Sequence, residues 1–283
     1  MLKTRIITAA CLLAVLLGAL FYLPPMAWFA FCSLICALAA GEWGALAGWG
    51  GRARIVYAVA LGVVCFISLE PMVADCIFNF CQSKPPLNAI LPIHFAFYLI
   101  AAVFWLLCVP FWLRYKWPLR KWNAALTGFI VLVPSVAAFA LLRRLEPLFL
   151  IAVVAVFWVA DIAAYFTGRA FGGIRLAPNI SPGKTWAGAV GAVIGVLFYC
   201  NVLMLTVFMN DFSGNFLRLL LLQPLFIGLA VMSIVGDLFE SLLKRQAGVK
   251  DSSNLLPGHG GVLDRIDSLT STLPLIAVFC IWF

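Results

Sequence analysis

The sequence predicts an all-α, polytopic integral membrane protein of about nine transmembrane helices with its N-terminus in the cytoplasm. Three observations carry that prediction. Hydrophobic residues make up 65% of the 283 positions and charged residues only 11%. Apolar runs of roughly 20 residues, enough to cross a bilayer, recur throughout the chain. Lysine and arginine cluster in alternate connections between these runs, the asymmetry that sets orientation.

The first run, 5–23, follows Lys3 and Arg5 and leads into Phe21-Tyr22-Leu23-Pro24-Pro25 without a small-x-small cleavage site. It therefore reads as a retained helix rather than a secretory signal. Further runs lie at 25–47, 54–72, 89–113 and 123–142, and only Arg143, Arg144 and Glu146 separate the fifth from the sixth at 147–170. The last three are 186–209, 216–240 and 266–283. All belong to a single polytopic domain, 1–283. Within it, residues 1–145 supply N-terminal transmembrane helices, and residues 146–283 supply the helices and cytoplasmic loops that carry the polar clusters.

With the N-terminus inside, cytoplasmic segments hold fifteen basic residues: Lys3, Arg5, Arg52, Arg54, Arg114, Lys116, Arg120, Lys121, Arg169, Arg175, Lys184, Lys244, Arg245, Lys250 and Arg265. Outer segments hold four: Lys84, Arg143, Arg144 and Arg218. That bias puts 48–53, 114–122, 171–185 and 246–263 on the cytoplasmic side, and 73–88 and 210–215 outside. The net charge of +8 reads as topology and attraction to anionic headgroups of the lipid bilayer. No nucleic-acid partner is expected. Most of the nine cysteines, Cys32 and Cys36 among them, lie in apolar spans as small packing residues. Cys76 and Cys81 share an outer loop where a disulfide can form if that side is oxidising. His94 is isolated in a span, and no Cys/His metal pattern occurs.

Three polar clusters interrupt the apolar pattern, all towards the cytoplasm. In the first, Asp161, Tyr165, Gly168 and Arg169 share one helix face. They form either a carboxylate facing a hydrated cavity or a pair that closes the helix end. The second, Ser181-Pro182-Gly183-Lys184-Thr185, precedes a helix start, where outward N–H groups suit anions. It lacks the P-loop spacing and no strand is expected before it.

The third cluster is the most informative. Asp237, Ser241 and Lys244 recur at i, i+4 and i+7, so a carboxylate, a hydroxyl and an ammonium stand on one helix face. A loop follows with Arg245, Lys250-Asp251 and Pro257-Gly258-His259-Gly260-Gly261, then Asp264, Arg265 and Asp267. Charge near membrane level costs about 2.5–3.5 kcal/mol per residue at a helix centre, so it is hydrated or paired. Cations suit phosphate, carboxylates suit a hard metal such as Mg²⁺, and glycines admit a ligand close to the backbone. Phosphoryl or nucleotidyl transfer follows, with Asp237, Asp264 and Asp267 converging on a metal and Lys184, Lys244, Arg245 and Lys250 around phosphate. His259 is open between general base, phosphate contact and loop support.

The run Ser241, Leu243-Lys244-Arg245, Lys250-Asp251, Ser253, Leu256-Pro257, His259-Gly260-Gly261-Val262, Asp264-Arg265 and Asp267 resembles the signature of phosphatidate cytidylyltransferases, the CDP-diacylglycerol synthases. Glu42-Trp43, Asp161 to Gly172 and Ser181 to Thr185 resemble further family segments, so the likeness covers nearly the whole chain. Many members carry a basic residue at the position of Gly183 and an acidic one at that of Ala187, so neither position is given a duty here. The resemblance implies an inner-membrane enzyme joining CTP to phosphatidic acid, giving CDP-diacylglycerol and pyrophosphate. It further implies Mg²⁺, room for K⁺ as a second cation, a homodimer, and a site around Asp237, Asp264 and Asp267. Asp161, Ser181, Lys184 and Thr185 are implied to line the same cavity. Two rival readings are a CTP-dependent lipid kinase, which must activate a neutral alcohol, and a transporter, in which buried acids mark an ion path.

Overall fold

The computed structural model describes the backbone of residues 2–78, 92–207 and 216–282. Among these, nine helical stretches are long and apolar enough to cross a membrane, in register with the nine runs expected. The chain is a multi-pass membrane protein. Helix α1 spans Leu2–Tyr22, α2 Pro25–Leu46 and α3 Gly51–Phe78. Pro25 opens α2, where its missing N–H costs nothing. Helix α3 outruns the expected 54–72, so its last turns occupy some of the segment expected as an outer loop. Cys81 lies outside the described residues, as does the side chain of Cys76, so their pairing has no counterpart here.

The fourth span is compound: α4 (Pro92–Val103), a π-helical turn (Phe104–Cys108) and α5 (Val109–Tyr115). Pro110 explains the π turn, because proline cannot donate to the preceding turn and its ring crowds that carbonyl. Helix α6 (Lys121–Leu145) is the central element, buried along most of its length and packed on α2, α3, α7 and the last helix. Ser135 Oγ donates to Val131 O at 2.5 Å and sits 2.8 Å from Thr270 O, which joins α6 to the last helix. The remaining helices are α7 (Pro147–Phe171), α8 (Trp186–Val207), α9 (Phe216–Gln246) and α10 (Leu263–Trp282).

Helices α7 and α8 pack closely because small residues line their seam. A Cβ on Gly191 would collide with the Thr167 side chain, and one on Gly195 would lie 2.7 Å from Ala163 Cβ. Helices α9 and α10 use the same device once. At Gly236 an added Cβ would lie 2.5 Å from Ser271 Oγ and 2.7 Å from the Asp267 carbonyl.

One element departs from the all-helical expectation. Residues 174–185 form a two-stranded antiparallel ribbon, β1 (Arg175–Ala177) and β2 (Ser181–Thr185), with Arg175 opposite Thr185 and Ala177 opposite Ser181. Pro178 and Asn179 fill the turn, closed by Ile180 N–H to Ala177 O at 3.1 Å. The Ser181–Thr185 segment, expected to sit ahead of a helix with no strand, is itself a strand that runs directly into α8.

Candidate active site

A cavity of about 490 Å³ lies where α7, β2, α8 and α9 meet. Asp161, Tyr165, Gly168 and Arg169, expected on one face of α7, all line it. Lys184 and Thr185 enter from β2 and Asp237 from α9. Gly168 is small for a reason: a Cβ there would stand 3.0 Å from Thr185 Oγ1. That hydroxyl accepts the Gly188 N–H at 3.1 Å and caps the first turn of α8.

The charges in the cavity are paired across elements. Lys184 Nζ meets Asp237 Oδ2 at 2.5 Å, with both side chains partly exposed. Ser241 Oγ donates to Asp237 Oδ1 at 3.2 Å, the i to i+4 contact that the spacing predicts. Close approach at Gly236 brings the first turn of α10 beside Asp237. Asp267 is then within electrostatic reach of Asp237, Asp161 and Lys184, and Arg265 within reach of Asp161.

The other predicted residues build a second, buried constellation. Asp264 Oδ1 accepts Lys244 Nζ at 2.6 Å, and Lys244 also holds Glu240 Oε2 at 2.6 Å. Asp264 Oδ2 takes the N–H groups of Ser252 and Gly261 at 2.8 Å each, and Ser252 Oγ lies at 2.8 Å. From α2, Glu42 accepts Ser253 Oγ at 2.6 Å, Val262 N–H at 3.0 Å and Leu263 N–H at 2.7 Å, with Ser252 Oγ at 3.1 Å.

This alters the role of the glycine pair. A Cβ on Gly260 (φ +82°) would lie 2.6 Å from Asp264 Oδ2, and one on Gly261 would lie 2.5 Å from both Glu42 oxygens. The glycines admit the protein's own carboxylates where a ligand was expected. Among the described residues no group of three or more Asp, Glu, His or Cys is placed to hold a metal, and Asp264 stands apart from Asp237 and Asp267 in its contacts. The physical reason is that Asp264, at the start of α10, is saturated by local amides and by Lys244.

Residues 3–283 match the model of the cytidylyltransferase family. The chain belongs to that family. It is similar to a phosphatidate cytidylyltransferase of Pseudomonas aeruginosa, 40% identical over 98% of this chain and 96% of the relative. One from Haemophilus influenzae is 36% identical over 99% and 98%. One from Thermotoga maritima is 46% identical over 42% of this chain and 43% of its own. Membership makes the chain a nucleotidyltransferase, an enzyme.

Within this cytidylyltransferase the remaining predicted residues take separate places. Arg245 leaves the cavity and holds loops, donating to Ile180 O at 3.4 Å and Val249 O at 3.3 Å. Lys250 is exposed. His259 closes a turn through its N–H to Leu256 O at 2.8 Å, and its Nδ1 is buried without a hydrogen-bond partner. Ser181 sits in β2 beside the cavity wall. Two acids were not assigned from the residues alone, Glu240 and Glu42. Glu240 carried a readable signal, an acid four residues ahead of Lys244 on one helix. Glu42 carried another, an acid inside an apolar span.

Proposed function

We propose that the chain is a phosphatidate cytidylyltransferase, joining CTP to phosphatidic acid with release of pyrophosphate, at the cytoplasmic face of a bacterial inner membrane. The observation that carries this reading is the polar cavity holding Lys184, Asp237 and Asp161 at one end of a bundle of apolar helices. Its volume lies in the range of small-molecule pockets. The named relatives and the basic bias of the flanking loops support the substrate and the side.

The chemistry asks little of a base. The lipid phosphate is already anionic, so His259 has no proton that it must take. What opposes reaction is repulsion between two polyanions and charge growing on the departing pyrophosphate. Lys184, held by Asp237 and partly withdrawn from water, and the more exposed Arg169 supply cationic groups at the cavity wall. Asp161 and Asp237 would hold Mg²⁺, with Asp267 behind them for a further ligand or for K⁺. The residues fit a hard cation shared with substrate phosphates rather than caged by protein, since Asp237 Oδ2 already seats one cationic group, the Lys184 ammonium. When bound, Mg²⁺ supplies charge neutralisation on the reacting phosphates. Outward-facing Phe166, Val190 and Ile194 on α7 and α8 offer acyl chains an apolar surface beside the cavity.

The test is an assay of purified protein with phosphatidic acid, Mg²⁺ and CTP labelled in the α- or γ-phosphate. The lipid product is expected to carry α-label only. Lipid labelled from the γ-phosphate would move the assignment to a kinase. No reaction with any nucleotide would revive the transporter.

A further inference from the structure

Glu42 is almost fully buried, at 4% exposure, on a helix outside the cavity wall. Its carboxylate has four donors around it, all from residues 252–263. Two of them, the Val262 and Leu263 N–H groups, are orphan donors at the start of α10. A helix N-terminus carries partial positive charge and is a ready anion seat. Here a carboxylate from α2 fills it.

The seat is braced on both sides. Trp43, beside Glu42 and 1% exposed, donates Nε1–H to Ala124 O of the central helix at 2.9 Å. Arg54 donates to Gly41 O at 3.1 Å. On the loop side Gly261 has no room for any side chain, because Glu42 and Ser252 occupy that space. The Gly261 and Ser252 N–H groups are spent on Asp264. Four backbone amides of this loop and helix start are therefore committed to two carboxylates.

Asp264, Arg265 and Asp267 occupy the turn that Glu42 anchors, and Asp267 stands beside Asp237 and Asp161. A shift of that turn would move Asp267 and Arg265 relative to Asp237 and Asp161, the two acids that line the cavity, and so change the field in which those acids sit. We propose that Glu42 is a positioning residue of this enzyme: it fills the anion seat at the start of α10, fixes the Asp264–Asp267 turn against α9, and excludes substrate phosphate from the glycine loop. This rests on the cytidylyl-transfer reading above for its effect on turnover, whereas the anchoring itself does not.

The experiment compares Glu42→Gln and Glu42→Ala with the intact protein in detergent, by amide hydrogen exchange and by steady-state kinetics. Exchange is expected to quicken at residues 252–266, Val262 and Leu263 above all, with other helices unchanged. In Glu42→Gln, kcat is expected to fall about 10- to 100-fold, as when partners that orient metal-binding groups are lost, with KM for CTP little altered. Formate added to Glu42→Ala should restore some of the turnover by refilling the seat. Unchanged exchange at Val262 and Leu263, a kcat within twofold of wild type, or a loss confined to KM would each overturn the proposal. If Glu42→Ala does not fold, Glu42→Gln alone decides. A wild-type protein that transfers no cytidylyl group would sink the functional reading, while exchange would still report on the anchor.

Discussion

Lys184 and Asp237 meet at 2.5 Å across the cavity, joining strand β2 to helix α9. Each faces water enough that the pair contributes little to folding, about 0–1 kcal/mol. Its value lies in holding one cationic and one anionic group where phosphates arrive. Lys184→Met and Asp237→Asn should each lower kcat by about 10²–10³ while leaving the thermal midpoint close to wild type. Turnover within a few-fold of wild type in either variant would remove the pair from the reaction.

Asp264→Asn should behave differently from Asp237→Asn. The Asp264 and Lys244 side chains are 4% and 11% exposed, and losing one partner of a buried pair costs about 3–5 kcal/mol. Asp264→Asn is therefore expected to lower both the unfolding temperature and the activity, and Asp237→Asn the activity alone. Parallel unfolding curves in one detergent make the comparison.

Substituting the glycines should separate crowded from open positions. Gly261→Ala forces a methyl against Glu42 and Ser252, and overpacking of this kind costs about 1–3 kcal/mol. Gly183→Ala meets nothing within 4 Å and should be neutral. Expression and thermal stability of the two variants, measured side by side, check this.

His259→Gln should keep most of the activity and an unchanged pH profile. Proton transfer by a positioned side chain is worth about 10²–10⁴ in rate, so a loss of that size would make His259 a base and favour the lipid kinase.

Sidedness is open to cysteine labelling. In a variant lacking the nine native cysteines, Gly183→Cys should resist an impermeant maleimide added outside intact cells and react once the membrane is opened. Strong external labelling would reverse the orientation and the cytoplasmic placement of the site.

The spans were legible because 20-residue apolar runs and charged joints leave few alternatives in a bilayer. The α7 face was legible from the spacing of Asp161, Tyr165, Gly168 and Arg169, and the Ser241–Asp237 bond from one helical turn. Residues 174–185 were not, since strands of three and five residues carry too little periodicity and Ser181-Pro182 imitates a helix start. Lys244 and Asp264 were read as members of one polar cluster, but not as partners. Their pairing depends on how α9 meets α10, which local spacing does not encode. The partners of Glu42 were out of reach for the same reason, lying 210 to 221 positions away.

That separation fixes the order in which the protein comes to life on the ribosome. At about 5–20 residues per second, α2 exists for roughly 10 to 45 s before the chain that will satisfy Glu42 has been made. The nascent bundle carries an unsatisfied acid through that interval, with water or lipid headgroups at the membrane surface as its only solvent. When residues 252–263 emerge, anchor, loop and last helix are completed together. A chain that ends before residue 252 thus has the cavity-lining residues but not the donors that seat Glu42, and the anchor closes in a late step of synthesis.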